Sequence, residues 1–231
     1  MVITKCTITL HESLFFATRE IGRLYETGRY LHNYALSYAF GFASSRYHCA
    51  EQVPQYAEEL PLLNLTSTYI TPAEPLETFT QLATFKYGEE QLHVEMLQAT
   101  RNTPSFGRAK EIAVGSRFEC YVFSQQPIIL PRWIRLGKWH SKALVEWKSV
   151  AVQEKTGAFV CPVPLNPLDV PKGMLRTFDI ISMPPASLVA NARLDGRFYD
   201  LGQGRGLPVG MSYTFPQAEL AKPKARGKSK T

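Results

Sequence analysis

Helical spacing of apolar residues is confined to the early part of this sequence, and most of the remaining chain has the pattern of short strands. Residues 29–42 place one apolar stripe along a helix and a second stripe nearly opposite, so the predicted helix packs on both sides. One side would meet a sheet, and the other would meet residues 43–66 or a partner subunit. Residues 43–66 are predicted to form a partly helical insertion that is broken by Pro54 and Pro61.

Strand patterns lie on both sides of this helix. Residues 2–10 alternate between two faces, which predicts a strand, and residues 11–28 are loop-like. Asp195-Gly196 predicts a hairpin turn, and prolines at 162–171 and 184–185 predict connections. Further strand patterns cover 67–72, 79–87, 92–98, 111–124, 207–215 and, as two strands joined by a basic turn, 132–147. An early strand and helix followed by many antiparallel strands indicates an α+β fold rather than alternating βαβ units.

Composition narrows the class of protein. The chain has 231 residues, 45% of them hydrophobic, which supports a sizeable core. No apolar run is long enough for a transmembrane helix, and the first ten residues lack the apolar centre of a signal peptide, so we expect a cytoplasmic protein. The cysteines at positions 6, 49, 120 and 161 lack the paired spacing of a zinc site, and we expect reduced thiols with no metal or cofactor.

The net charge of +6 is unevenly distributed along the chain. Residues 222–231 carry five basic side chains and no acid, and we expect them to be a disordered tail after a single domain at 1–221. Residues 51–100 carry one basic and eight acidic side chains, whereas residues 101–148 carry nine basic and three acidic ones. This division predicts one face for phosphates and another face for something else, with solvated surface on both as the alternative.

The common signatures of enzymes are absent from the sequence. It has no nucleophile elbow, P-loop, zinc-protease motif or aspartate cluster for magnesium. His93 and Glu95 share a face of a predicted strand, and His32 has a side chain suited to general base catalysis. No third group stands at a recognisable spacing from them, so structural roles are favoured for these residues.

The best-supported function is nucleic-acid binding, through the segment PRWIRLGKWHSKALVEW at residues 131–147. Cations neutralise phosphates and flat side chains stack on bases, so their mixture is typical of single-stranded RNA binding. We expect Ile134 and Leu136 to point inward and the turn 137–142 to present the charges. The candidate RNA-binding residues are Arg132, Trp133, Arg135, Lys138, Trp139, His140 and Lys142.

Two other segments supply further candidates. In DLGQGRGLPVG, residues 200–210, glycines beside Arg205 would let backbone amides approach a phosphate closely, although such loops are also ordinary connections. Gly204 and Arg205 are therefore candidates for RNA binding. Arg19, Arg23 and Tyr25 in the loop after the first strand are candidates for contact with RNA or a partner.

From Met1 to about Phe215, the sequence resembles the Cas-five-type subunit of type I-D Cascade, the first of the two Csc subunits of that CRISPR subtype. The resemblance rests on KCTITLHESLFFATREIGRLYETGRYLHNYALSYAFG, on PRWIRLGKWHSKALVEW and on the late glycine-rich loop. It implies a RAMP fold, which is a ferredoxin-like, RRM-related antiparallel sheet. Such a fold has one main helix, a glycine-rich loop and an extended β-hairpin or thumb insertion.

The resemblance also implies a function in antiviral defence in a prokaryotic cytoplasm. Such a subunit is non-catalytic and caps the 5′ handle of the CRISPR RNA in the effector complex. It contacts the Cas-seven-type backbone subunit and the Cas-ten-like large subunit, near the end where the PAM of target DNA is read. The acidic segment would then face protein partners, and the basic tail would contact target DNA or serve only solubility.

Two alternatives stay open from the sequence. Some Cas-five relatives of another subtype cleave RNA, so one alternative is a metal-independent endoribonuclease of the RAMP type that processes CRISPR RNA. Its general base would be His32 or His140, with Tyr25 assisting. The other alternative is a structural bridge between subunits, whose basic face is incidental.

Overall fold

The computed structural model describes residues 1–43, 55–86 and 106–215. The predicted strand at 92–98, the pair His93 and Glu95, and the basic tail lie outside these ranges. Along the chain the elements are β1 (Val2–Leu10), β2 (Arg19–Ile21), β3 (Leu24–Glu26), α1 (Asn33–Ala39), α2 (Tyr56–Glu59), α3 (Leu62–Leu65), β4 (Tyr69–Ile70), β5 (Glu74–Glu77), β6 (Thr80–Lys86), β7 (Phe106–Ile112), β8 (Arg117–Ser124), β9 (Trp133–Leu136), β10 (Ser141–Val150), β11 (Gln153–Val160), β12 (Leu175–Ile181), β13 (Leu188–Gly202) and β14 (Arg205–Pro208).

The largest sheet has β1 at its centre and the order β4-β8-β1-β10-β9, with β5 also paired to β8. All of these pairs are antiparallel. Within this sheet, β1, β4, β8 and β10 follow one another along the chain, and α1 lies between β1 and β4. Their order across the sheet, β4-β8-β1-β10, is that of the split βαβ, ferredoxin-like fold. The predicted α+β fold with one main helix is confirmed. Where that fold has its second helix, the described chain between β8 and β10 forms β9.

The predicted alternation along β1 is confirmed, since Cys6, Ile8 and Leu10 on one face are buried in the core while Thr7 and Thr9 are half-buried. Leu36 and Phe40 of α1 pack in the same cluster. Tyr34 of the same helix packs in a second cluster with residues of β11 and β13, so the helix is apolar on two sides, as its sequence indicates. The helix is shorter than the predicted 29–42, because it begins after the cap residue His32 and ends before Gly41, which has φ +74°.

A second sheet has the order β11-β14-β13-β12, and a third has the order β2-β3-β7-β6. β6 and β7 pair antiparallel from Thr80 with Ile112 to Lys86 with Phe106, as a hairpin insertion requires. The residues between these two strands lie outside the described ranges. The prediction of a plain loop at 11–28 is wrong, since β2 and β3 form a short hairpin there and β3 joins β7 in parallel.

Three other local predictions are also wrong. The Asp195-Gly196 dipeptide does not turn the chain but lies inside β13, where Gly196 pairs with Gly157 of β11 and β12 pairs on the opposite side. The run 111–124 is two strands, because a turn at Gly115, with φ +84°, separates them. The late strand ends at Pro208 instead of continuing to residue 215.

No helix among the described residues has the length and apolar character needed to cross a membrane. Within the same ranges, Cys6, Cys120 and Cys161 are buried free thiols.

Candidate nucleic-acid interface

The β9–β10 hairpin, residues 132–144, holds all seven candidates of the main basic segment. Its strands pair from Leu144 with Trp133 to Ser141 with Leu136. Ile134 and Leu136 are buried while Trp133 and Arg135 are exposed, which confirms the predicted alternation. The apolar residues of β9 anchor the hairpin in the core, and its charged and aromatic residues are left at the surface.

The turn of this hairpin presents Lys138, Trp139 and His140 to solvent. Gly137 and His140 both have positive φ, of 73° and 52°, and the His140 amide donates to the Gly137 carbonyl over 3.2 Å. Half of the Trp139 surface is exposed, and its ring stacks on Phe15 with the ring centres 4.6 Å apart. The indole is therefore supported on one side and accessible on the other.

The loop after β1 holds this turn in place through its backbone. The Lys138 amide donates to the Phe15 carbonyl over 2.9 Å, and the Ser141 hydroxyl donates to the Ser13 carbonyl over 2.6 Å. A Cβ on Gly137 would lie 2.6 Å from the Phe15 oxygen, so only glycine fits there. The aromatic and basic side chains are thus presented on a fixed frame.

The cations of the hairpin differ in how far they are engaged within the protein. Arg135 lies 3.1 Å from Glu12, whose carboxylate also accepts from the Lys142 amide over 2.7 Å. The Lys142 ammonium lies 4.1 Å from the centre of the Trp133 ring, a cation–π contact. Among the described residues, no hydrogen bond or ion pair holds the side chains of Arg132 and Lys138, which leaves both available for phosphates.

The second group of candidates lies on the small third sheet. The Arg19 guanidinium contacts the Glu26 carboxylate, and Lys110 reaches the same carboxylate over 2.8 Å. Hydrogen bonds from Lys110 and then from Arg19 lower the pKa of Glu26 below its ordinary value. Arg23 and Tyr25 lie on or beside β3, which pairs with β7. The loop that holds the hairpin turn therefore leads directly into this group.

The third group, Gly204 and Arg205, lies on the second sheet, apart from the hairpin. Gly202, Gln203 and Gly204 all have positive φ, so the glycine-rich loop is a tight turn between β13 and β14. The Gly204 carbonyl accepts from the Val160 amide over 3.0 Å, and Arg205 donates to Gln203 over 3.3 Å. The glycines serve this turn, and the structure does not bring the third group onto the hairpin.

His32 has a structural role, as its sequence context favoured. It caps α1, where its Nδ1 accepts from the Tyr34 amide over 3.2 Å and its Nε2 donates to the Ala186 carbonyl over 3.1 Å. Burial lowers the pKa of His32 to about 4, so the ring is neutral at pH 7. Because both ring nitrogens are engaged, His32 has no free nitrogen for proton transfer.

The sequence reasoning missed three exposed or half-exposed cations on the sheet face that carries Trp133. Lys148 lies on this face of β10, as does the predicted candidate Lys142, and Lys5 of β1 pairs with Lys148. Arg117 joins the same face through its pairing with Thr9. The signal for Lys148 was the even spacing within KALVEWK, whereas Lys5 and Arg117 reach this face only through pairing between distant strands. Lys5 is partly neutralised by Glu119 at 2.5 Å.

Comparisons with known proteins cover most of the chain. The family described as Type I-D CRISPR-associated protein Cas5/Csc1 matches residues 1–216. No curated protein sequence matches the chain. Among solved structures, the chain is similar to a chain of a cryo-EM structure of the Type III-B Cmr-beta bound to cognate target RNA and AMPPnP. That similarity has 10% sequence identity and a TM-score of 0.47, and it covers 83% of this chain and 86% of the other.

Proposed function

The chain belongs to the Type I-D CRISPR-associated Cas5/Csc1 family and is a CRISPR effector subunit, and we propose that it binds and caps the 5′ handle of the CRISPR RNA without catalytic activity. The β9–β10 hairpin is the proposed binding surface. This role places the protein in the cytoplasm of a prokaryotic cell.

One observation carries this proposal: the exposed Lys138, Trp139 and His140 stand on a turn fixed by the Phe15 carbonyl. A fixed turn binds without the entropic cost of ordering a flexible loop. Lys138 would neutralise a phosphate, and the open side of Trp139 would stack on a base. Trp133 on β9 and Lys142 on β10 form a second pair of ring and cation in the same hairpin.

We place the protein partners elsewhere on the molecule. Leu62 and Leu65 lie three residues apart on α3, next to the acidic α2, and are 62% and 81% exposed. Together they form an apolar patch at the surface, and such patches mark interaction sites. The Cas-seven-type backbone subunit and the Cas-ten-like large subunit are the expected partners of this acidic part of the chain. Target DNA near the PAM would then pass close to the same end of the complex.

The test is the salt dependence of RNA binding by the Lys138→Ala variant. Each lysine on a single-stranded phosphate contributes roughly 0.7 to the magnitude of the log–log slope of affinity against salt. We expect weaker binding of repeat-derived RNA and a slope shallower by about that amount. Lys172→Ala removes an exposed lysine that lies outside the hairpin and serves as the control. Unchanged affinity and slope in Lys138→Ala would show that the turn is not a phosphate site.

A further inference from the structure

A cavity of about 330 Å³ lies beside the hairpin turn, between the loop after β1, helix α1 and the segment before β13. This volume lies within the range of about 300–1,000 Å³ that is usual for small-molecule sites. Its lining includes Phe16, Tyr30, Ala35, Lys138, Pro184 and Pro185. The proposed handle-binding surface meets this cavity at Lys138 and leaves the rest of it unused.

The walls of the cavity suit a flat, weakly polar occupant. Phe16, Tyr30 and the two prolines are rigid rings, and two polar groups in the wall are already bonded within the protein. The His32 ring bonds at both nitrogens, and the Thr18 hydroxyl donates to the Glu26 carbonyl and accepts from the Gly28 amide, each over 2.7 Å. Rings without competing hydrogen bonds favour stacking of an aromatic group.

The cations around this cavity favour an occupant that carries a negatively charged group. Lys138, which lines the cavity, stands on the exposed turn, and its ammonium has no ion pair among the described residues. Arg29 is exposed, with its guanidinium carbon 5.2 Å from the centre of the Tyr30 ring, and it donates to the Tyr30 hydroxyl over 3.2 Å. A flat ring joined to a phosphate, which is a nucleotide, matches both the walls and the charges.

We infer that this cavity takes one nucleobase of the bound RNA, turned out of its strand, while the adjoining phosphate lies on Lys138. This inference rests on the proposed function, because it assumes that RNA runs along the hairpin. It adds a distinct prediction, since the base at one position of the handle would be held inside the protein. An aliphatic side chain from a neighbouring subunit is the competing occupant.

The test uses a variant that fills the cavity and leaves every charged side chain in place. Ala35 lies on α1 and lines the cavity, and the longer side chain of Ala35→Leu would occupy the space of the base. Ala151→Leu makes the same change at an exposed position between β10 and β11 and is the matched control. The probes are a synthetic RNA of the repeat sequence and a series in which one nucleotide at a time is abasic.

For the wild type, we expect one abasic position to weaken binding by roughly 5- to 150-fold, the usual effect of one stacked base. Ala35→Leu should bind the intact RNA as weakly as the wild type binds that abasic RNA. Its affinity should not fall further when the same position is abasic. Ala151→Leu should match the wild type. If thermal unfolding shows that Ala35→Leu is not folded, Tyr30→Ala replaces it with the same expected result.

Other outcomes would overturn either the pocket or the binding role. If Ala35→Leu binds every RNA as the wild type does while Lys138→Ala binds weakly, the base pocket is wrong and the proposed function stands. If Ala35→Leu impairs only the association with other effector subunits, the cavity holds a protein side chain and the inference is again wrong. If the wild type binds none of the RNAs, the proposed function itself fails.

Discussion

The Phe15 carbonyl oxygen lies 2.9 Å from the backbone nitrogen of Lys138 and accepts its hydrogen bond. This contact joins the loop after the first strand to the turn of the basic hairpin. Both segments combine cations with aromatic residues, and the contact makes them one surface.

Gly137→Ala should lower both the stability of the protein and its affinity for RNA. The added Cβ would meet the Phe15 oxygen at 2.6 Å, and the backbone has φ +73°. Gly115→Ala is the control, since Gly115 has φ +84° with nothing within 4 Å of the added atom. Urea unfolding should show a loss of about 1–2 kcal/mol for Gly115→Ala from backbone strain alone, and a larger loss for Gly137→Ala. Equal losses would mean that the turn relaxes away from Phe15.

Trp133→Ala should weaken RNA binding by about 1–3 kcal/mol, because it removes a stacking surface beside Lys142. Trp147→Ala is the matched control. Trp133 and Trp147 are 43% and 40% exposed, but they lie on opposite faces of the same sheet. Fluorescence anisotropy with repeat RNA should separate the two variants, and equal affinities would remove Trp133 from the binding surface.

The free energy of unfolding should depend on pH through His32. Burial lowers its pKa from 6.5 to about 4, so the unfolded chain binds the proton more readily. His32 therefore subtracts up to roughly 3 kcal/mol as the pH falls from 6.5 to 4. Asp169 acts in the opposite direction, since burial raises its pKa to about 6 and the folded state keeps the proton.

The difference between the wild type and His32→Asn isolates the histidine, because Asp169 is common to both proteins. Asparagine also caps helices, which preserves the start of α1. The stability of the wild type relative to His32→Asn should fall between pH 6.5 and pH 4. A constant difference across this range would mean that His32 is not held neutral in the folded protein.

The purified protein should not cleave repeat RNA in the presence of EDTA. His32 has both ring nitrogens engaged, which leaves the exposed His140 as the remaining candidate base of a metal-independent endoribonuclease. Denaturing gels of the RNA after prolonged incubation provide the measurement. Cleavage that is lost in His140→Ala would establish the enzyme and contradict the non-catalytic role.

Local patterns predicted the features that alternation and turn composition control. The inward Ile134 and Leu136, the exposed turn and the alternation along the first strand all depend on residues close together in the sequence. Pairing between distant segments was not predictable in this way. Three contacts depend on a partner far along the chain: the hydrogen bond from the Lys138 amide to the Phe15 carbonyl, the bond from His32 to Ala186, and the pairing of Gly196 with Gly157.

The same limit applies to the candidate RNA-binding residues. The hairpin candidates lie near one another in the structure because they are near one another in the sequence. Gly204 and Arg205 lie on another sheet because β14 pairs with β13 and β11. Lys5 and Lys148 share the face of Trp133 only because β1 pairs with β10, and no local pattern indicates that register.

The central claim is that RNA lies on the β9–β10 hairpin, and ultraviolet crosslinking of the protein–RNA complex tests it most directly. Mass spectrometry of the crosslinked peptides should place RNA on residues 132–142, with Trp133, Trp139 and His140 as the expected sites. Crosslinks confined to the acidic residues 55–86, with none on the hairpin, would contradict the account.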